Sequence, residues 1–152
     1  MEPFDLIWPT SDVPSHCISI YDGADAFLRD FAAAGPVHGT LFAAYWPQAE
    51  IFNGGLSQFF GNSTGVLAPE AVEAYKILGM PRLAAALQEA MDWFGTPYPR
   101  ERGSRQVRLE EFAASHEIDP FDAMDDKIVE FIYEENSGLE AAALAYLRRQ
   151  LI

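Results

Sequence analysis

Apolar residues recur along the chain at intervals of three and four positions, and no segment shows the sustained alternation of a half-buried strand. This spacing predicts an all-α fold, a single compact domain of about seven helices with short connections. A first helix is expected from near Asp22 to the stop signal at Gly35 and Pro36. Its inward side chains should be Phe27, Leu28 and Phe31.

A second helix is predicted from His38 to Phe52, with five apolar side chains on its inward face. These are Leu41, Phe42, Tyr45, Ala49 and Phe52. Because Pro47 lacks a backbone N–H, it should bend this helix or break it in two. The run Asn53, Gly54 and Gly55 should end the helix, and a short helical turn over 56–61 should follow.

Two further helices are indicated by a proline at the first helical position. The first should run from Pro69 to Gly79 and bury Ala71, Tyr75 and Leu78. The second should start after Pro81, with inward side chains Leu83, Leu87, Ala90, Met91 and Phe94.

The part of the chain after residue 94 should begin with a long loop over 95–108, because two prolines and a glycine interrupt it. A short helix should cover Leu109 to Ser115, and Asp119 and Pro120 should then cap and start a longer helix. The last helix should begin at Ser137, whose hydroxyl would form a capping box with Glu140.

The 152 residues carry 23 acidic and 10 basic side chains, a formal charge of −13, and an apolar fraction of 49%. This is the composition of a packed globule with an acidic surface, which has no global attraction for DNA, RNA or an anionic membrane. The charge is uneven, because residues 76–108 hold six basic and three acidic side chains between two acidic regions. We therefore expect a protein that binds neither nucleic acid nor membrane directly.

One acidic region contains a periodic row of carboxylates. At about 100° per residue, the sector of this helix that should face the core holds Phe121, Met124, Ile128, Phe131 and Ile132. The opposite sector holds four acidic residues, which we call the acidic row: Asp122, Asp126, Glu130 and Glu134. The row is either a solvated helix face or a set of carboxylates that stands in for a phosphate backbone, and outward exposure fits both.

Asp125 differs from the acidic row because it lies near the apolar sector, between Val129 and Ile132 on the helical wheel. A carboxylate at such a position is costly unless it is hydrogen-bonded or paired. We expect backbone donors or an arginine to bind it, so a structural anchor is favoured over a catalytic acid.

The densest cluster of polar side chains and glycines is the segment EIFNGGLSQFFGNSTG, residues 50–65. Its candidate residues are Glu50, Asn53, Gly54, Gly55, Gln58 and Asn62. Since no GKS or GKT and no preceding strand accompany it, the segment is neither a phosphate-binding loop nor a dinucleotide fingerprint. Its amides either hold a tight helical corner together or line a small polar pocket.

The run NGG, followed by QFF and Asn62, resembles the helical domain of the bacterial DNA-mimic protein family. The resemblance extends over 38–150 through Glu50, Gly65, Pro69, Glu70, Ala71, Glu73, Gly79, Phe94, Gly95, Met124, Asp125, Asp126, Tyr146, Leu147 and Arg148. It departs from the family pattern at Leu56, at Met124 and in residues 100–108, which we call the arginine-rich segment. The resemblance implies an all-α fold and, as in the founding members, an acidic surface that occupies the DNA-binding face of a transcription regulator.

These features predict one helical domain over 1–152, in which an N-terminal extension over 1–21 precedes the family-like region. Cys17 is the only cysteine, so no internal disulfide and no thiolate metal cluster can form. The first residues include Glu2 and Asp5, where a signal peptide requires positive charge, and no apolar run reaches export length. The sequence therefore predicts a cytoplasmic soluble protein.

Two classes of function remain. The first is a non-enzymatic acidic protein that binds a basic partner, either a DNA-binding regulator by mimicry or a toxin as an immunity-type antidote. The second is a small-ligand-binding or enzymatic domain centred on residues 50–62. His16, His38 and His116 show no spacing that favours a nucleophile triad, and no metal-ligand motif is present. We therefore expect no metal or cofactor and favour the non-enzymatic class; the oligomeric state is open, and a homodimer fits the sequence.

Overall fold

A computed structural model of the chain describes residues 2–7 and 18–151. These residues form seven α-helices and no strand, which confirms the all-α prediction. Three short 3-10 helices accompany them: Asp5–Ile7, Ser63–Leu67 and Glu135–Ser137. The α-helices, numbered α1 to α7 in chain order, are Ala24–Ala34, Pro36–Gly61, Ala68–Ile77, Pro81–Asp92, Arg102–Ser115, Asp122–Glu134 and Leu139–Gln150.

The central element is α2, which contacts α1, α3, α5, α6 and α7. Its first half is apolar on nearly every side, and the side chains from Gly39 to Ala44 are buried, as expected for a helix surrounded by others. Near its end, the ring of Phe60 lies 4.7 Å from the ring of Phe94 and 5.6 Å from that of Phe121. This aromatic cluster joins α2 to α6 and to the end of α4, and so fixes the helix that carries the acidic row.

Most of the predicted inward faces are confirmed. Side chains of α2, α3, α4 and α6 that were expected to face the core are buried: Leu41, Phe42, Ala71, Tyr75, Leu78, Leu83, Leu87, Ala90, Met91, Phe94, Phe121, Ile128 and Ile132. Three more are partly buried and pack against this core: Tyr45, Met124 and Phe131.

Two side chains that we expected in the core are exposed instead, Leu28 at 40% and Phe52 at 47%. Helix α1 packs on α2 and on the 3-10 helix Ser63–Leu67, so its buried stripe is narrow and is filled by Phe27 and Phe31. Phe52 lies just before a break in α2, where its ring stacks on an aromatic side chain of α6.

The break in α2 occurs at the predicted glycines. Gly54 and Gly55 have non-helical backbone angles, and residues 56–61 then form the predicted helical turn. Pro47 does not break the helix, because non-helical angles inside α2 are confined to these two glycines. Proline has a φ close to the helical value and removes only one backbone donor, so a buried helix with strong tertiary contacts accommodates it.

Helix α5 begins at Arg102, inside the segment predicted as a long loop, which leaves 93–101 as the connection from α4. Helix α6 begins at Asp122, two residues after the predicted start at Pro120. Asp119 Oδ1 accepts a hydrogen bond from the backbone N–H of Phe121 (2.9 Å), so its carboxylate stabilises the turn before α6 and not the helix terminus.

The predicted capping box at the start of α7 is wrong. The helix begins at Leu139, its cap residue is Gly138, and no side chain caps it. Ser137 has a φ of +67°, in the left-handed region, and belongs to the 3-10 helix before Gly138. Hydrogen bonds from the backbone N–H groups of Arg82 and Leu83 in α4 to Glu135 of that 3-10 helix override the local capping signal.

The described parts of the expected N-terminal extension pack on the core through Phe4, Ile7, Ile18 and Ile20, all of which are buried. His16 and Cys17 lie outside the described residues. Among the helices that the structure describes, none combines the length and the apolar character needed to cross a membrane. The single-domain organisation of 1–152 stays a prediction.

Candidate protein-binding surface

All four side chains of the acidic row are exposed on α6, opposite the buried Ile128 and Ile132. Successive members lie about 6 Å apart along the helix axis, so the row extends over about 18 Å. One strand of B-DNA carries about one phosphate per 3.4 Å of axis, or about five over the same length. With one charge per about 6 Å, the row therefore has a little over half the linear charge density of one DNA strand.

The helix of the row carries little compensating charge, because Lys127 is the only basic residue of α6. In the part of the chain that the structure describes, none of the four carboxylates belongs to an ion pair. Three like-charged pairs at i and i+4 oppose the helix by about 0.2 to 0.5 kcal/mol each. This repulsion is tolerated because the apolar face of α6 is held in the core, and it leaves the carboxylates available to a cationic partner.

Asp125 anchors α6 to the break in α2. Its Oδ1 accepts a hydrogen bond of 2.7 Å from the backbone N–H of Leu56, which is the backbone donor that we expected. Burial raises the pKa of the Asp125 carboxyl above its usual range, the bond from Leu56 opposes the rise, and the charges of Asp119, Asp122 and Asp126 add to it. Asp125 therefore orients the base of the acidic row and does not belong to its exposed surface.

The carboxylate of Glu50 is the centre of the amide motif. Its Oε2 accepts hydrogen bonds of 2.8 Å from Gln58 Nε2 and from Asn62 Nδ2. Asn53 Nδ2 in turn donates to Gln58 Oε1 over 3.2 Å. The amides thus bind one another and Glu50, and this network holds the two segments of α2 together across Gly54 and Gly55. A ligand at these residues would have to replace those bonds, so the pocket function stays a prediction.

The arginine-rich segment is organised around Arg105, which is completely buried. Its Nε donates to the carbonyl oxygen of Phe60 (2.8 Å), and its Nη2 donates to that of Asn62 (2.9 Å). Its Nη1 donates to the carbonyl oxygens of Pro99 and Arg100. Burial lowers the pKa of the Arg105 guanidinium, but arginine stays protonated in proteins.

The neighbouring side chains bind the same end of α2. Arg102 Nε and Gln106 Nε2 both donate to the carbonyl oxygen of Gly61, at 2.8 and 3.1 Å. The last carbonyls of a helix have no partner within the helix and carry partial negative charge. The first turns of α5 therefore act as the C-terminal cap of α2, which is why this segment is helical and not a loop.

The remaining arginines of the segment are also engaged. Arg100 forms a bidentate ion pair with Glu70 and donates to the carbonyl oxygen of Val66. Arg108 donates to Glu111 and to the carbonyl oxygen of Trp93. The four arginines of residues 100–108 thus bind other parts of the fold, and none of these bonds reaches the acidic row.

The model of the family of DMP19-like proteins matches residues 34–150, which is more than half of the chain. The chain belongs to the DMP19-like protein family. This family is one of DNA-mimic proteins, in agreement with the resemblance found in the sequence. That the NGG run, the QFF run and Asn62 are a signature of the family stays a prediction. No curated protein and no solved structure matches the chain.

The DMP19-like chain also brings together polar residues that sequence reasoning did not connect. Ser57, His116 and Asp119 line a cavity of about 380 Å³ beside α5. Ser57 Oγ donates to Asp119 Oδ2 over 3.1 Å, whereas His116 Nδ1 lies 3.0 Å from the carbonyl oxygen of Phe112. A serine nucleophile requires a base that accepts its proton and is itself oriented by a third group, and these bonds do not provide that order.

Among the described residues, no group of three or more acidic, histidine or cysteine side chains is placed to hold a metal ion.

Substitutions at Asp125 should separate its hydrogen bond from its charge in this DMP19-like protein. We expect Asp125→Asn to keep a side-chain oxygen for the N–H of Leu56 and to change the free energy of unfolding by less than about 1 kcal/mol at pH 7. Asp125→Ala should lower it by about 1 to 3 kcal/mol, because the buried N–H loses its partner. Urea denaturation of both variants measures the difference, and equal losses would show that the bond to Leu56 contributes nothing.

The raised pKa of Asp125 fixes the sign of its contribution to the pH dependence of stability. Because the folded pKa of Asp125 is raised above 3.8, the native state binds this proton more tightly than the unfolded state does. The contribution of Asp125 to stability therefore falls as pH rises from 3.8 through the raised folded value. The stability of Asp125→Asn relative to the unchanged chain should increase over that window, and a decrease would contradict the raised pKa.

Proposed function

We propose that this chain is a non-enzymatic binding protein whose acidic row occupies the basic DNA-binding face of a transcription regulator or another nucleic-acid-binding protein. The observation that carries the proposal is the row itself: four exposed carboxylates at regular intervals, with no ion pair among the described residues. Membership in a family of DNA mimics supports the same function.

The surroundings of the row favour binding over simple solvation. The helix that carries it is held rigidly, by Ile128 and Ile132 in the core and by the bond from Leu56 to Asp125. The four arginines of residues 100–108 are bound to backbone carbonyls and to carboxylates outside α6, and none of these bonds reaches the row. A fixed line of like charges keeps a strong local field, which accelerates the approach of a basic partner and selects its orientation.

A charge-matched pair of variants tests the proposal. The row variant carries lysine at all four positions of the acidic row, and the control variant carries lysine at four exposed carboxylates outside α6: Asp25, Glu89, Glu110 and Glu117. Both variants have the same net charge, so only the position of the charge differs. Each protein is immobilised and used to capture DNA-binding proteins from a bacterial lysate at low ionic strength, and the captured protein is then eluted with duplex DNA at the same ionic strength.

We expect the unchanged chain and the control variant to capture a basic protein that duplex DNA releases. The row variant should retain at least tenfold less of it, and added salt should weaken capture, because long-range attraction is screened. Circular dichroism verifies that both variants keep their helices. Capture that survives in the row variant, or a captured protein that DNA cannot displace, would reject DNA mimicry by the acidic row.

A further inference from the structure

Two large aromatic side chains lie exposed beside the acidic row. Phe52 of α2 is 47% exposed and Tyr133 of α6 is 67% exposed. Their rings stack with centroids 5.4 Å apart and an angle of 17° between the planes. Single exposed apolar residues are common, but a contiguous aromatic pair on a strongly acidic surface marks an interaction site.

The aromatic pair forms one side of a cavity of about 310 Å³ between α2, α6 and the first turn of α7. The cavity also has an apolar floor, formed by Ile132 and Leu139, which are buried. Polar groups on its rim are the amide of Gln48, the hydroxyl of Ser137 and the carboxylate of Glu140. We call this site the aromatic cavity.

The rim of the aromatic cavity is held in place by contacts from a distant helix. Asn136 and Ser137 have φ values of +50° and +67°, which cost roughly 1 to 2 kcal/mol each outside glycine. The backbone N–H groups of Arg82 and Leu83 both donate to Glu135, at 2.8 and 2.9 Å, and Asn136 Nδ2 donates to the carbonyl oxygen of Leu78. These bonds fix the 3-10 helix against the end of α3 and the start of α4, so the cavity is formed before any partner arrives.

The lining of the cavity selects for a cation with a flat, extended side chain. A guanidinium group stacks on aromatic rings and forms bidentate bonds with a carboxylate, and its aliphatic stem packs on apolar side chains. The aromatic pair, Glu140 and the apolar floor provide these three contacts. An anion would meet the charge of Glu140 and of the adjoining Glu134, and a neutral apolar group would leave the polar rim unpaired.

The position of the cavity connects it to the acidic row. Tyr133 lies between Glu130 and Glu134 in the sequence of α6, so the cavity lies at the C-terminal end of the row. We infer that the aromatic cavity receives the side chain of one arginine from the basic partner. The existence of that partner rests on the proposed function, whereas the preference of the cavity for arginine rests on its own lining. The row attracts and orients the partner, and the cavity provides the buried anchor that decides how slowly it leaves.

A small probe tests the cavity without any partner. Argininamide is titrated into the ¹⁵N-labelled full chain, and the backbone amide signals of residues 132–141 are followed by NMR. We expect saturable shifts with a dissociation constant on the order of a few mM, as suits a ligand of this size. Lysinamide should bind several-fold more weakly, because it lacks the planar fork. Citrullinamide keeps the α-amino group but has a neutral ureido group in place of the guanidinium, so it should not saturate.

Variants of the lining residues provide the structural control. The double variant Phe52→Ala with Tyr133→Ala, and the single variant Glu140→Gln, should each weaken argininamide binding at least fivefold. Tyr133→Leu keeps apolar surface without an aromatic ring and should weaken it as well, which excludes a mere loss of packing. Tyr21→Ala and Glu89→Gln, at exposed positions outside the cavity, should leave binding unchanged.

The possible outcomes separate the two proposals. Saturable binding that is lost in the lining variants supports the cavity even if the lysate experiment finds no partner displaced by DNA, which would reject only the proposed function. Equal binding of citrullinamide, shifts that never saturate, or binding that persists in the double variant would overturn the arginine site. Partner capture that is unchanged in Phe52→Ala with Tyr133→Ala would likewise overturn its role in partner binding.

Discussion

Replacement of Arg105 by alanine should lower the free energy of unfolding by about 3 to 5 kcal/mol, because several charge-assisted hydrogen bonds and a large buried side chain are lost. The guanidinium of Arg105 is completely buried and donates to carbonyl oxygens of Phe60, Asn62, Pro99 and Arg100. Without it, those oxygens lose their donor and a cavity remains. Urea denaturation followed by circular dichroism measures the loss.

Two further variants show which part of the side chain is responsible. Arg102→Ala removes an exposed arginine that binds the same end of α2 through one bond, so it should cost no more than about 1 kcal/mol. Arg105→Met fills most of the volume but offers no donor, so it should recover only the packing part of the loss. If Arg105→Ala cost no more than Arg102→Ala, the bond network at the end of α2 would not stabilise the fold.

Gly55→Ala should lower the free energy of unfolding by about 2 to 4 kcal/mol, for two reasons. Gly55 has φ +76° and ψ −176°, a backbone region that is open essentially only to glycine and costs another residue about 1 to 3 kcal/mol. A Cβ atom at this position would also lie 2.6 Å from Asp125 Oδ2, which would displace the carboxylate from the N–H of Leu56. Thermal or urea denaturation detects both effects.

Gly103→Ala is the matched control, since a Cβ at Gly103 meets no atom within 4 Å and the residue lies in the first turn of α5. Alanine is the better helix former there, so this change should be neutral or stabilising by up to about 1 kcal/mol. Adding Asp125→Ala to Gly55→Ala should cost less than the sum of the single losses, because both act on one contact. Strict additivity would show that backbone strain alone explains the effect of Gly55→Ala.

The helices themselves could be predicted because their causes lie within a few residues. A proline marks the starts of α3 and α4, as the second residue of α3 and the first of α4. The glycine pair marks the break in α2, whose backbone only glycine adopts readily. The direction of the acidic row followed from the apolar face of the same helix. Asp125 was assigned to a backbone donor or an arginine because an unpaired carboxylate beside the apolar sector of the helix is costly.

Two of the wrong predictions, the full extent of the loop over 95–108 and the capping box at Ser137, were overturned by contacts between residues distant in sequence. The start of α5 depends on hydrogen bonds from the guanidinium of Arg105 to the carbonyl oxygens of Phe60 and Asn62 at the end of α2. These residues precede Arg105 by 45 and 43 positions. Glu135 caps α4 from 52 and 53 residues away, which holds Ser137 in a left-handed conformation and removes the expected capping box. Local capping signals contribute about 1 kcal/mol, and several tertiary hydrogen bonds outweigh them.

The amino-acid sequence alone determined that the chain is helical and acidic, and that four carboxylates share the outer face of one helix, because periodicity and charge are local properties. Only the tertiary structure decided which charges remain available to a partner. It directs the arginines of 100–108 to the carbonyls at the end of α2 and to nearby carboxylates, and it places Phe52 of α2 against Tyr133 of α6. Within the described residues, the acidic row is left without an ion pair. These contacts between helices depend on the direction that the chain takes after the break at Gly54 and Gly55. They join residues far apart in the sequence, so no local pattern encodes them.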